Sequence, residues 1–586
     1  MKLNEFLSRL AFFLVACVLL AACRPGAGPD SSPTGLPADA ALPTAAPTLP
    51  AELPENPSGE LPGVEPPAAA QTPESPPPLP DSLWPQALRE AVAAAVDREM
   101  LVGQALAGQH LPAYHLLPPG SPFSAEPFRE RYGARNLELA VELLSGAGFS
   151  PERRFSFELW YPQEGGGEGS AGGTLEAAAR ALEAQLEETG MVELNLNQAP
   201  WSEFSRAYRA GELPAYLLTW SPDYFDADTW LSPFVSCEGS ASLGAGYCSP
   251  QMDELLARAA VAGSPQERAA LYAEIGALIA EEAPVLPLFW EPDSVAYREG
   301  VQGIEIGPTA EFHFNLLHFD EDYQPASGAR DTVLIGTTDR VVSLDPNDAY
   351  TVHDWEILKN TGVPLLRHAP GGDELVPGAA ELPEVSADGR VYTFRLIPGI
   401  RYADGSALLA QDYVYAFQRL SALNGEVSSL VTRHVASVEA LDQATLAVTL
   451  QQPYSFFPAL AASAAFVPAN PAEFSLEALN PAPGELNGIG PYRMVEHLPG
   501  ERLVLEANPH YFGQDGPQVP NVIVRYFDSP GGLSQALESG EIDVAWRSLG
   551  PVEVARLQAL QGSSGLVVQE VEALTLYLLV FNHNLP

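Results

Sequence analysis

The run Trp220-Ser221-Pro222-Asp223-Tyr224, with Asp226 and Asp228 close behind, sets three carboxylates among large aromatic rings. A carboxylate shielded from water gains most from a charge-assisted hydrogen bond and loses most when left unpaired. Asp223 also has a plainer role as a turn residue after Pro222. Trp220 and Tyr224 serve equally as ligand walls or as core, because amphipathic rings give contact area at small entropic cost. A second polar set, Tyr350, Thr351 and His353, lies in the loop after Leu344-Asp345-Pro346, and loops are where binding residues concentrate. Covalent chemistry has no motif to stand on: the chain contains no Gly-x-Ser-x-Gly, no phosphate-binding loop, no His-Glu-x-x-His and no Cys-x-x-Cys. His313 and His318, five apart in an apparent strand, face opposite sides and do not suit joint metal ligation. Neither enzyme activity nor a metal or cofactor is expected.

The chain has four cysteines. Lys2 and Arg9 precede an apolar run from Leu10 to Ala22, the layout of a secretory signal and shorter than the roughly 20 residues of a spanning helix. The run ends Leu20-Ala21-Ala22-Cys23, which resembles a bacterial lipobox and implies lipidation of Cys23 at a bacterial membrane. With Cys17 lost in the signal, Cys237 and Cys248 remain as a pair in an oxidising compartment, and a disulfide is expected between them. Two thiolates without a neighbouring His or further Cys make a poor zinc site.

The 75 acidic against 30 basic residues, a net charge of −45, argue against nucleic acid as a partner, since affinity for phosphate backbones comes from clustered Lys and Arg. At 586 residues, a scale of roughly 100 to 200 residues per domain gives two or three domains. Residues 1–23 form the signal. Residues 24–84, crowded with Pro, Ala, Ser and Thr, cannot bury enough apolar area to offset their ordering entropy and are expected to be a disordered tether. From Trp84 onward helical and strand patterns alternate, the texture of an α/β or α+β body. Thr174 is placed to cap a helix with Leu175, Ala178, Leu182 and Leu186 on one face, Gly190 ends it, and Val192, Leu194 and Leu196 then alternate as a strand. Ser264-Pro265-Gln266-Glu267 forms a capping box for a second helix, followed by an apolar strand from Val285 to Trp290. The stretch EDYQPASGAR, 321–330, has the composition of a polar connector, and DTVLIGTTDR after it starts like a fresh domain.

Leu334-Ile335-Gly336-Thr337, Ser343-Leu344-Asp345-Pro346, the segment EVSADGRVYTFRLIPGIRYADGSALLAQDYVYAFQRL from Glu384, Gly488-Ile489-Gly490-Pro491-Tyr492, LVLEANPHYFG and ALESGEIDVAW follow one another. In that order they resemble the amino-terminal half of the peptide/nickel family of extracellular solute-binding proteins, family 5. ALREAVAAAVDREMLV, LPPGSPF, AVELLSGAGF, TWSPDYFDADTWL and the cysteine loop resemble the carboxy-terminal half, yet come first. In the family a strand like YLLVFNHNLP leads into a segment like LPDSLWPQALREAVAAAVDRE; here these are residues 577–586 and 79–99. The resemblance implies a circular permutation with the old ends joined around Gln324 to Arg330, or else a fragment of a tandem array. It departs at Pro383, where the family usually has Trp, and at Gly362-Val363, where it has Tyr-Glu.

What the resemblance implies is an α/β, two-lobed periplasmic-binding-protein-like fold of type II, peptide-binding subclass, with mixed β-sheets flanked by helices and a hinge between the lobes. Residues 85–295 would be the carboxy-terminal lobe, and 296–586 the amino-terminal lobe with its inserted subdomain. Asp223 matches the aspartate that pairs with a peptide's α-amino group, Trp220 and Tyr224 would wall the ligand, and Tyr350, Thr351 and His353 would face them across the cleft. The implied protein is a monomeric, lipid-anchored, extracytoplasmic binder that delivers peptides or related amine-bearing solutes to the membrane subunits of an ABC importer. A tethered binding or sensing protein without a transport role, or a nonfunctional fragment, is the alternative. The swapped order further implies one main chain crossing between lobes, near residues 290 to 300, and a last strand from Leu574 to Phe581 held by pairing alone and prone to fray.

Overall fold

A computed structural model describes residues 83–585, apart from 107, 122, 124, 164–171, 310 and 548. The signal, Cys23 and residues 24–82 of the expected tether lie outside the described residues.

Local sequence builds the elements largely as expected. The helix Gly172–Glu187 begins two residues before Thr174, and Leu175, Ala178, Leu182 and Leu186 are all buried on its inner face. Gly190 then takes a positive φ of 69° to turn the chain into the strand Val192–Ala199. Ser264 caps the helix Pro265–Glu282 by accepting from the Glu267 amide at 3.2 Å, and the Glu267 carboxylate reaches back to the Gly263 amide at 3.3 Å.

These elements flank a mixed sheet of eleven strands. At one end lie Tyr492–Leu498, Arg502–Ala507 and Asn521–Tyr526, then Thr332–Thr337 and Val544–Trp546; at the other lie Ala215–Trp220, Phe155–Pro162 and Val192–Ala199. Two long antiparallel strands in the middle, Val285–Arg298 and Leu566–Phe581, join the ends. The short strand Leu111–Pro112 adds to the first of them. A separate four-stranded antiparallel sheet, Glu384–Val385, Val391–Arg395, Thr445–Leu450 and Val435–Ala440, carries its own helices.

Apolar burial divides this body into two lobes. One core gathers side chains between Trp84 and Trp290 together with Leu574 to Phe581. Another gathers side chains between Val295 and Trp546 together with Tyr224 and Ala260, with a smaller cluster around Leu533, Leu537 and Leu557 beside it. The strand expected from Val285 to Trp290 therefore runs on to Arg298, because it passes from the first core to the second without losing its partner.

The final strand differs from the sequence-based expectation for the same reason. Its first part pairs with Val295 to Arg298 and its second with Val285 to Glu291, so the chain crosses between lobes twice. From Leu576 to Phe581 it is also paired on its other edge with Ala215–Trp220, and Leu576 to Phe581 are buried. Beyond it, Asn582 donates to the Gly211 and Leu213 carbonyls at 2.8 and 3.0 Å, and the Leu83 amide donates to the Leu585 carbonyl at 3.3 Å. Packing on both faces and pairing on both edges hold this strand, rather than pairing alone.

The connector is fastened as well. Arg330 donates to the carbonyls of Phe319, Asp320, Glu321 and Tyr323 at 2.8 to 3.2 Å. The buried Asp543 accepts from the Tyr323 hydroxyl at 2.7 Å and from the Ala326 and Leu334 amides at 2.8 and 2.9 Å. His313 and His318 do not share a strand: a 3₁₀ turn, Phe314–Leu316, separates them, leaving His313 buried and His318 exposed. Cys237 and Cys248 are joined as a disulfide. Asp253, close to both sulfurs, instead accepts from the Cys237 amide at 2.9 Å.

Candidate functional site

Between the two cores lies a cavity of about 1250 Å³ lined by both lobes. The strand Ala215–Trp220 ends at its wall, and the turn after it carries Ser221 to Phe225 into the helix Ala227–Val235. Trp220 braces this turn: its indole N–H donates to the Thr229 carbonyl at 2.8 Å and its ring meets Phe234 edge-on.

The three carboxylates of the turn divide by their partners. Asp226 accepts from the helix amide of Asp228 at 3.0 Å and from both terminal nitrogens of Arg268 at 2.7 and 2.5 Å. Asp228 accepts from the hydroxyls of Tyr224 at 2.6 Å and Ser232 at 2.5 Å. Both are thus satisfied within their own lobe. Asp223 accepts from the opposite lobe, from the Tyr350 hydroxyl at 3.1 Å, 127 residues away in the chain. Burial pushes the Asp223 carboxyl up to about 7, against the Tyr350 hydrogen bond and the nearby Arg433 charge, which lower it. Its amide is fixed by donation to Thr229 Oγ1 at 3.2 Å.

The other sequence-selected residues take different places. Tyr224 is buried and stacks on Phe456 of the second lobe, ring centroids 5.3 Å apart, so it fastens the lobes more than it walls a ligand. Thr351 lines the cavity while its hydroxyl caps the helix Val352–Thr361 by accepting from the Asp354 amide at 3.1 Å. His353 is buried between Glu356 Oε2, 2.9 Å away, and the Tyr526 hydroxyl, 3.2 Å away.

Sequence patterns gave no sign of several residues that close the cavity, because each becomes relevant only through a partner in the other lobe. Arg433 pairs with Glu238 at 2.9 Å and Arg209 with Glu426 at 3.4 Å. The Ser455 amide donates to the Ala260 carbonyl at 2.7 Å. Among the described residues, twelve Asp or Glu face the cavity against five Lys or Arg. Such an excess gives the cavity a negative potential.

A family model, "Bacterial extracellular solute-binding proteins, family 5 Middle", matches residues 72–242 and 374–586. The chain belongs to this family. It is 29% identical over 224 residues to the periplasmic murein peptide-binding protein MppA of Escherichia coli K12, a match covering 35% of this chain and 41% of that protein. It is also 29% identical over 246 residues to the periplasmic oligopeptide-binding protein OppA of Salmonella typhimurium, covering 38% of this chain and 44% of that one. Each match spans less than half the length of the relative. The solved structure of the E. coli murein tripeptide-binding protein MppA aligns with a TM-score of 0.34 at 26% identity, over 36% of this chain and 45% of that one. The body is a mixed α/β fold of two lobes, and family 5 comprises solute-binding proteins rather than enzymes. No described helix is long and apolar enough to cross a membrane.

Proposed function

We propose that this family 5 protein captures peptides, or related solutes with a free amine, between its lobes for delivery to an ABC importer. Asp223 carries the proposal: alone among the three carboxylates of its turn, it has a partner from the other lobe, a single neutral hydroxyl, and it is held in a desolvated position. An α-ammonium group supplies a charge-assisted hydrogen bond that the neutral hydroxyl does not, and its arrival favours the ionised carboxylate. Tyr350 then ties the second lobe to the same carboxylate, so ligand binding and closure are coupled. The names of the relatives, murein peptide-binding and oligopeptide-binding, agree with this ligand class.

The halves of the body stand in swapped order, a circular permutation, and Cys23 anchors the protein through lipid at a bacterial membrane. Support for the permutation comes from strands of both halves sharing one sheet and from the hydrogen bond between Leu83 and Leu585, the junction that the family's chain order calls for.

Calorimetry with trialanine and N-acetyl-trialanine tests the amine site. Asp223→Asn should weaken trialanine binding by tenfold or more, as loss of a charge-assisted bond requires, and acetylated peptide should bind poorly to either protein. Equal affinity for the two peptides would remove the amine from the site. Mass spectrometry of solutes released from the purified protein tests the ligand class: recovered sugar or metal chelate would replace peptide.

A further inference from the structure

The wall of the cavity formed by the long strand Val285–Arg298 and the second lobe is built around Asp293 and Glu356. Asp293 lines the cavity, and its carboxylate has no hydrogen-bond partner among the described residues; burial pushes this carboxyl up to about 6, opposed by Arg547 and assisted by Glu291, Asp339 and Glu356. Glu356 is the stronger sign of a missing partner. Its side chain is 1% exposed, and its Oε2 is held by His353 at 2.9 Å and Arg547 at 3.5 Å. Its Oε1 is buried without any hydrogen-bond partner. A buried carboxylate oxygen left unpaired is costly, and native structures satisfy such groups with water, an ion or a ligand.

Glu291 and Asp339 line the same cavity, and the Arg547 guanidinium lies 3.6 Å from Asp339 and 3.5 Å from Glu356. Glu291 already accepts from the buried Tyr577 hydroxyl at 2.5 Å and Asp339 is paired with Arg547 at 3.6 Å, so of these four carboxylates Asp293 and Glu356 Oε1 have no hydrogen-bond partner among the described residues.

The sheet fixes where this wall lies relative to Asp223. Trp220 is the register partner of Leu576, and Leu576 of Trp290. Asp293 follows Trp290 by three residues within its strand, and Asp223 follows Trp220 by three in the turn that leaves a strand running in the same direction two places away. At roughly 4.8 Å between strands the two chains leave that level about 10 Å apart. An extended ligand of about three residues, at roughly 3.4 Å each, covers that distance.

We propose that Asp293 and Glu356 form a second cation subsite, which receives the ammonium or guanidinium side chain of a ligand whose α-amine sits at Asp223. The preferred solute is therefore a short basic peptide. This inference rests on the peptide-binding function proposed above.

The test is calorimetry on the full chain with trialanine, with the three tripeptides that carry one Lys among two Ala, and with their norleucine counterparts, which keep the length and remove the charge. At least one Lys peptide should bind about tenfold or more tightly than its norleucine match, and Asp293→Asn should erase that difference. Equal affinity of Lys and norleucine peptides in the unaltered protein overturns the subsite, without requiring any variant to fold. A Lys preference that survives Asp293→Asn and Glu356→Gln overturns it too. If no peptide binds, the peptide-binding function fails separately, and 1,5-diaminopentane decides the subsite: binding that Asp293→Asn abolishes supports it, and no binding overturns it.

Discussion

Asp345 and Arg419 show what the family-like motifs do at the scale of single residues. Both are fully buried; the carboxylate accepts from two guanidinium nitrogens at 2.5 and 2.6 Å, and Arg419 also reaches the Ser475 and Ala478 carbonyls. Breaking a buried pair leaves an uncompensated charge, so Asp345→Asn is expected to cost about 3 to 5 kcal/mol in denaturant unfolding. The cleft carboxylates act in another way. Asp223 and Asp293 sit at about 7 and 6, above the ordinary 3.8. Each is protonated in the fold where it is ionised in the unfolded chain, so its contribution to stability is present below the ordinary value and is lost as pH rises through 6 to 7. His115, His434 and His583, each pushed down to about 4 by burial, work in the opposite sense: the unfolded chain takes up their protons as pH falls from 6.5 to 4, and stability falls with it. The carboxylate contribution is isolated by difference. Without ligand, Asp223→Asn combined with Asp293→Asn should gain in melting temperature over the unaltered protein as pH goes from 4 to 7.5; a difference that does not change with pH would count against both assignments.

At the scale of elements, the two crossing strands matter most. Leu576 to Phe581 lie between two strand partners, and Leu574 and Leu576 to Phe581 lie in the first core. Their amides should exchange with solvent as slowly as those of Ala215–Trp220, and hydrogen exchange read by mass spectrometry or NMR checks this. Fast exchange confined to Leu576 to Phe581 would show that the strand is held less firmly than its burial indicates. The helix Val352–Thr361 is positioned by close contact rather than by pattern. A Cβ on Gly490 would lie 2.5 Å from the Thr361 carbonyl carbon, and one on Gly362 would lie 2.3 Å from Val467. The Gly362-Val363 departure from the family pattern thus has a local reason in the packing of this chain, and the helix it ends carries His353, Glu356 and the Thr351 cap to the cavity.

For the whole molecule, one sheet built from both halves of the chain predicts cooperative behaviour. Calorimetry of residues 83–586 should show a single unfolding transition, because neither core keeps its central strands without the other; two well-separated transitions would indicate lobes that fold independently. The sequence by itself determined the elements, since helix caps, glycine stops and alternating apolar residues act between near neighbours: Ser264 with Glu267, Gly190 before Val192. It also singled out Asp223, through a motif carried in a few adjacent residues. Only the tertiary structure decided which of the three aspartates lacks a partner in its own lobe, because Arg268, Ser232 and Tyr350 reach them from separate elements. It likewise decided that Tyr224 fastens the lobes through Phe456 and that Asp293 and Glu356 face the same cavity. The second chain crossing belongs with these, because strand pairing joins residues nearly 300 positions apart, as in Tyr577 with Phe289, and no local pattern records which distant partner a strand will take.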